Sequence, residues 1–141
     1  MMAPISGVYR IYFLDINKQK AYLGFSIIEI PIRPKFYTVV GYRSENNPRV
    51  SKWTFTQGTG GPDSYKVYSA KHPNAAMAAR GNAIVASEGA VDTFTFEAAE
   101  VSNSYRIKNA SNKAWMLKLA DGITQLHLSP NGAEVFYLEP A

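Results

Sequence analysis

Apolar and polar positions alternate along most of this chain. Val8, Arg10 and Tyr12 interleave with Tyr9, Ile11 and Phe13; Phe94 and Phe96 flank Thr95; Leu126 and Leu128 flank His127. A period of two is the signature of a half-buried strand. Helical periodicity is nearly missing. The best helical stretch, Asn74 to Arg80, is short and runs into Gly81. Turn signals recur at Asn46-Asn47-Pro48, Gly58 to Asp63, Glu88-Gly89, Asp121-Gly122 and Pro130-Asn131-Gly132. The pattern predicts twelve strands, at about 7–14, 20–27, 36–42, 51–57, 64–70, 75–79, 83–87, 92–98, 104–109, 114–119, 123–128 and 134–139. Short strands at this spacing imply a sandwich or a barrel.

An internal repeat narrows the choice. Tyr9-Arg10-Ile11, Tyr65-Lys66-Val67 and Tyr105-Arg106-Ile107 share an aromatic, basic, β-branched opening. About ten residues later come Lys20-Ala21-Tyr22-Leu23, Asn74-Ala75-Ala76-Met77 and Lys113-Ala114-Trp115-Met116. Each unit closes on large apolar residues two apart: Trp53 and Phe55, Phe94 and Phe96, Phe136 and Leu138. Three four-stranded units without a helix describe a β-trefoil, in which six strands close a barrel and three hairpins cap it. The units span about 5–58, 62–101 and 102–141 of a single domain. The repeated apolar positions are then core rather than a base-stacking platform.

Composition agrees and removes several functions. The 141 residues suit one domain. With no cysteine, disulfides, thiol catalysis and Cys-based zinc sites are excluded. Hydrophobic residues at 46% and charged residues at 18% mark a folded chain rather than a disordered one. The net charge of +4 is uneven: residues 1–53 carry eight Lys/Arg against three Asp/Glu. That is too little for a nucleic-acid surface, although Arg43, Arg49 and Lys52 lie near Tyr42 and Trp53. No signal peptide or membrane-spanning run is visible, so a cytoplasmic location is expected. Asn109-Ala110-Ser111 matches a glycosylation sequon and is read as a chance match.

Catalysis finds little support. His72 and His127 are the only histidines, and no His-x-x-x-His or Gly-x-Ser-x-Gly motif occurs. Gly58-Thr59-Gly60-Gly61 lacks the Lys-Ser/Thr of a phosphate loop. The expectation is a monomeric binding protein, not an enzyme, with no cofactor and no metal.

The third unit, Ile107-Lys108-Asn109-Ala110-Ser111-Asn112-Lys113-Ala114-Trp115 followed by Gln125-Leu126-His127-Leu128, resembles fungal trefoil proteins. Ser6-Gly7-Val8-Tyr9-Arg10-Ile11 and the Trp53-x-Phe55 closing are similar to the mushroom serine-protease inhibitors of the cospin and cnispin type. Ricin-B-like lectins are the second resemblance, but the Gln-x-Trp with which they usually close a unit is absent here. The first resemblance implies an inhibitor of serine proteases; the second implies sugar binding.

The opening-to-closing distances are 44, 29 and 31 residues, so unit one is oversized. Extra length in a repeat falls in loops, and loops carry binding. Two stretches can hold it, Ile27 to Phe36 and Arg43 to Val50. In the first, Pro31-Ile32-Arg33-Pro34-Lys35-Phe36, two prolines three apart favour a stiff, extended path. A protease binds extended peptide, and a stiff loop loses little entropy on docking. Pro34 follows Arg33 and obstructs cleavage after it, so Lys35 is the better residue for a trypsin-like pocket. The competing reading is a solvated hairpin whose prolines block edge pairing.

Other candidates are weaker. Asn131-Gly132 is first a turn signal, and second a loop for an asparagine-specific protease. If the chain binds a glycan, Asp15, Asn17 and Tyr37 in unit one, and Asn109, Trp115 and Asp121 in unit three, supply the polar groups and the aromatic platform.

Overall fold

The computed structural model describes residues 6–26, 36–58, 61, 63–90, 92–120, 122–132 and 134–141. Among them lie twelve strands. They are β1 (Gly7–Leu14), β2 (Lys20–Phe25), β3 (Phe36–Tyr42), β4 (Trp53–Gln57), β5 (Ser64–Ser69), β6 (Ala75–Arg80), β7 (Ala83–Glu88), β8 (Phe94–Ala98), β9 (Ser104–Lys108), β10 (Ala114–Ala120), β11 (Ile123–Ser129) and β12 (Phe136–Pro140). Each expected strand is present, with its ends moved by two residues at most.

Pairing is antiparallel throughout and closes on itself. β1 pairs with β4 and β12, β5 with β4 and β8, and β9 with β8 and β12, so six strands form a ring. The other six form the hairpins β2–β3, β6–β7 and β10–β11, and these meet one another through β3–β7, β7–β11 and β11–β3. A six-stranded barrel under a three-hairpin cap is a β-trefoil. Ring closure leaves the barrel strands without free edges.

The repeated residues fill the barrel. Ile11, Val67 and Ile107, from the three openings, are fully buried. So are the closing residues Trp53, Phe55, Phe94, Phe96, Phe136 and Leu138, at 5% exposure or less. Aromatic edges meet faces through this layer, as Phe96 does with Tyr65 and Tyr105. The Ala-rich β6 is a strand despite helix-favouring residues. Its six residues all pair with β7, and Ala75, Ala76 and Met77 are completely buried. Tertiary pairing and burial outweigh the alanines' own preference.

One part of the repeat is shifted by a residue. Leu23 faces Gly41, Met77 faces Ala86 and Trp115 faces Leu128, at equivalent places in their hairpins. Trp115, not Met116, therefore takes the position of Leu23 and Met77, and all three point into the core. The shorter β9–β10 connection causes the slip. Lys108 pairs directly with Ala114, whereas Tyr12 reaches Tyr22 across two further pairs and a turn.

Candidate functional site

The cap hairpins differ at their tips. β6–β7 turns through Gly81 and Asn82, and β10 ends two residues before β11 begins, with Gly122 just ahead of it. β2 and β3 are instead joined by ten residues, 26–35. Gly81 and Gly122 have φ of +63° and +75°, the left-handed backbone that a tight turn needs and glycine supplies without strain. Of the expected protease-binding residues, Pro31, Ile32, Arg33, Pro34 and Lys35 lie outside the described residues. Phe36 does not belong to the loop. It is the first residue of β3, pairs with Ser87 and is 6% exposed, because its ring is covered by the Arg80 guanidinium at 4.0 Å.

Both stems of the connection are held. Phe25 is buried against Trp53, Tyr37 and His72, with ring centroids 5.2–5.4 Å away. Its N–H donates to the Arg49 carbonyl at 3.0 Å, and its carbonyl accepts from the Tyr42 hydroxyl. Burial pushes the Tyr42 phenol up, so it stays a neutral donor. The Ser26 N–H donates to the Thr38 carbonyl at 2.9 Å. The next connection, residues 43–52, is the second place where unit one is long, and it supplies much of this support. It folds back on β2 through a Gly24–Val50 bridge and a bond from the Ser51 N–H to the Leu23 carbonyl. The approach requires a glycine: a Cβ on Gly24 would lie 2.1 Å from the Arg49 oxygen. The Lys71 ammonium, from unit two, donates to the Pro48 carbonyl and pins the far side. Sequence reading passed over Tyr42, Arg49 and Arg80 as parts of this support. The available signal was Gly24, a lone glycine in a strand, which marks close backbone approach.

The residues expected for sugar binding are largely engaged elsewhere. Trp115 is fully buried between Phe94, Phe96 and Phe136, so it cannot act as a platform. Asn109 caps its own turn: its Oδ1 accepts from the Ser111 and Lys113 N–H groups at 3.0 and 2.9 Å. Asp15 closes the matching turn of unit one, with Oδ1 accepting from Asn17 and Gln19 at 2.8 and 3.0 Å. Lys18 and Asn112 take the same left-handed φ, 62° and 61°. Tyr37 does not approach Asp15. It stacks on His72 at 4.3 Å, and Asn17 is exposed. Asp121 lies outside the described residues. Asn131 and Gly132 form a turn, with N–H groups donating to the Ser129 hydroxyl and carbonyl, and Gly132 lies against Ala114.

A cleft of about 710 Å³ opens where unit one meets unit three. Phe13, Leu14, Ile16, Leu117 and Leu119 form its apolar walls, and Asp15, Arg43 and Glu134 its charged groups. The Asp15 carboxyl is held below the usual carboxylate range, chiefly by the Gln19 N–H, helped by Asn17 and Arg43.

No protein-family model matches the chain, and no curated relative does. Solved structures match over the whole length. The double-headed arrowhead protease inhibitor A in complex with two trypsins is 13% identical with a TM-score of 0.70, covering 99% of this chain and 92% of that one. SeviL bound to the asialo-GM1 saccharide is 15% identical with a TM-score of 0.67, covering 97% and 99%. The BEL β-trefoil is 16% identical with a TM-score of 0.67, covering 99% and 97%. The chain also matches Cry35Ab1 but spans only 35% of its length. At these identities the likeness shows the shared trefoil fold, and that fold carries a trypsin-binding protein in one case and a saccharide-binding one in another.

Proposed function

We propose that this protein inhibits serine proteases of trypsin-like specificity by presenting the β2–β3 connection as a substrate-like loop. One observation carries the reading: ten residues connect β2 and β3 where the equivalent hairpins use two, on stems that are buried and hydrogen-bonded. An inhibitory loop must enter a protease cleft without losing much conformational entropy on docking. Rigid stems and two prolines within five residues, Pro31 and Pro34, both act in that direction. Lys35 follows Pro34 and is the side chain for an acidic specificity pocket. The resemblance to the mushroom inhibitors points the same way. Glycan binding, the alternative, has a relative of the same fold in SeviL, but here Trp115 and Asn109 are taken up by packing and turn formation.

Titrating trypsin with the pure protein tests the proposal. Stoichiometric inhibition is expected, and Lys35→Glu should abolish it while leaving the circular dichroism spectrum unchanged. Unaltered inhibition by the variant would move the reactive residue elsewhere. No inhibition by the parent protein, beside sugar-competable signal on a glycan array, would establish the lectin reading instead.

A further inference from the structure

We propose that the cleft between the β1–β2 turn and the β10–β11 hairpin binds a small organic ammonium with an apolar body. The ammonium would sit on Asp15 and the body between Leu14, Ile16, Leu117 and Leu119.

The apolar half of the argument rests on where the exposed side chains fall. Among the described residues, six large hydrophobics are exposed: Val8, Leu14, Ile16, Val101, Leu119 and Ile123. Leu14, Ile16 and Leu119 line this one cleft, and Ile123 belongs to the same hairpin as Leu119. Ile16 is 95% exposed and Leu119 72%. Single exposed apolar residues are ordinary, but a group of them around one concavity marks a binding site. A cleft of about 710 Å³ is also of ligand size, within the roughly 300–1,000 Å³ common for such sites.

The polar half concerns Asp15. Its Oδ1 is committed to the turn, while Oδ2 is buried and accepts no hydrogen bond. Oδ2 lies 3.3 Å from the Arg43 guanidinium, and that side chain is two-thirds exposed. Such a pair is screened and weak, so a ligand can compete for it. An ammonium can donate N–H groups to Oδ2, which is ion-paired with Arg43 but accepts no hydrogen bond. The sign follows from the lining: Asp15 and Glu134 against Arg43 leave one net negative charge, which favours a cation over an anion. A simple sugar would satisfy Asp15 but leave Ile16 and Leu119 uncovered.

Nitrogen-15 NMR with phenethylamine, phenethyl alcohol, 3-phenylpropionate and lactose as separate probes tests this. Phenethylamine should produce saturable shifts at the amides of Asn17, Gln19 and Leu119. The alcohol should bind about tenfold more weakly, and the propionate and lactose not at all. Asp15→Asn should remove the preference for the amine over the alcohol. The turn itself should survive that change, since Asn109 closes the same turn with a neutral amide. Leu119→Ser should weaken both the amine and the alcohol. Equal binding of all probes, lactose shifting the same amides, or no shift at millimolar amine would each overturn the proposal. So would an apolar peptide without a cation binding more tightly than the amine, which would make the cleft a protein-docking groove. Trypsin inhibition should be unaffected by either variant, which separates this site from the β2–β3 loop.

Discussion

The β6–β7 and β10–β11 hairpins turn in two residues each, whereas β2 reaches β3 through ten. Around them the cap is nearly threefold: Leu23, Met77 and Trp115 occupy one position, and the three hairpins pair with one another in turn. The comparison shows how a closed repeat takes in extra chain. The added residues fall in the two connections that flank β3, and the ring of six barrel strands closes without them. Closing a longer loop costs entropy that grows only slowly with length. A free loop would be floppy, and the second long connection of unit one answers that. Residues 43–52 run along β2 and tie down the backbone of Phe25. The two enlargements are thus a loop and its support.

The largest effect should come from separating them. Gly24→Val places side-chain carbons where the Arg49 carbonyl lies, since even a Cβ would be 2.1 Å from that oxygen. The Val50 Cα would be 2.7 Å away as well, and since both atoms are backbone neither can turn aside. The cost should be about 3 kcal/mol or more, in the upper range for overpacking. Urea denaturation should show the midpoint falling, and trypsin inhibition should weaken even where the protein remains folded. A variant that keeps full stability and full inhibition would mean that the support is dispensable.

The converse change makes unit one resemble its neighbours. Replacing Glu29–Lys35 by Asn-Gly continues the register that pairs Phe25 with Val39 and closes the hairpin in two residues. Loop-closure entropy favours the shorter form by about 1 kcal/mol. Stability should be unchanged or raised by that amount, and inhibition should vanish. Persistent inhibition would place the reactive loop elsewhere in the molecule. A large loss of stability would show that the seven replaced residues serve the cap and not a partner.

Much of the fold was legible because its signals are local. The openings at Tyr9, Tyr65 and Tyr105 and the closing pairs at Trp53, Phe94 and Phe136 alternate with period two, and turn residues separate the strands. The oversized unit was also legible, from spacing alone. What escaped depends on contacts distant in sequence. Trp115 aligns by eye with Tyr22 after Lys-Ala, yet the shorter β9–β10 connection slides it one place inward. The cleft is built from residues near 15, 43, 119 and 134, which no motif joins. Asp15 and Asn109 were legible as polar groups at corresponding turns, but their first duty is to the turn N–H groups, a side-chain role that looks the same as a ligand contact in sequence.

That shared turn gives the smallest and most selective prediction. Asp15 is charged and Asn109 is not, although both hold the same turn. The folded carboxyl of Asp15 lies below its ordinary value, with the Gln19 N–H as the main cause. A depressed folded pKa means that the group stabilises the native state above the unfolded value. The contribution then fades as pH falls through the folded one. Acidification below the usual carboxylate range should therefore loosen the β1–β2 turn and leave β9–β10 intact. The amides of Asn17 and Gln19 should shift with a low apparent pKa, and those of Ser111 and Lys113 should not follow Asp15 at all. Asp15→Asn should remove the acid response at the first turn and make the two turns behave alike. If Asn17 and Gln19 instead titrate at an ordinary carboxylate pKa, the turn does not hold the charge. Asp15 would then be left without its preference for the ionised form.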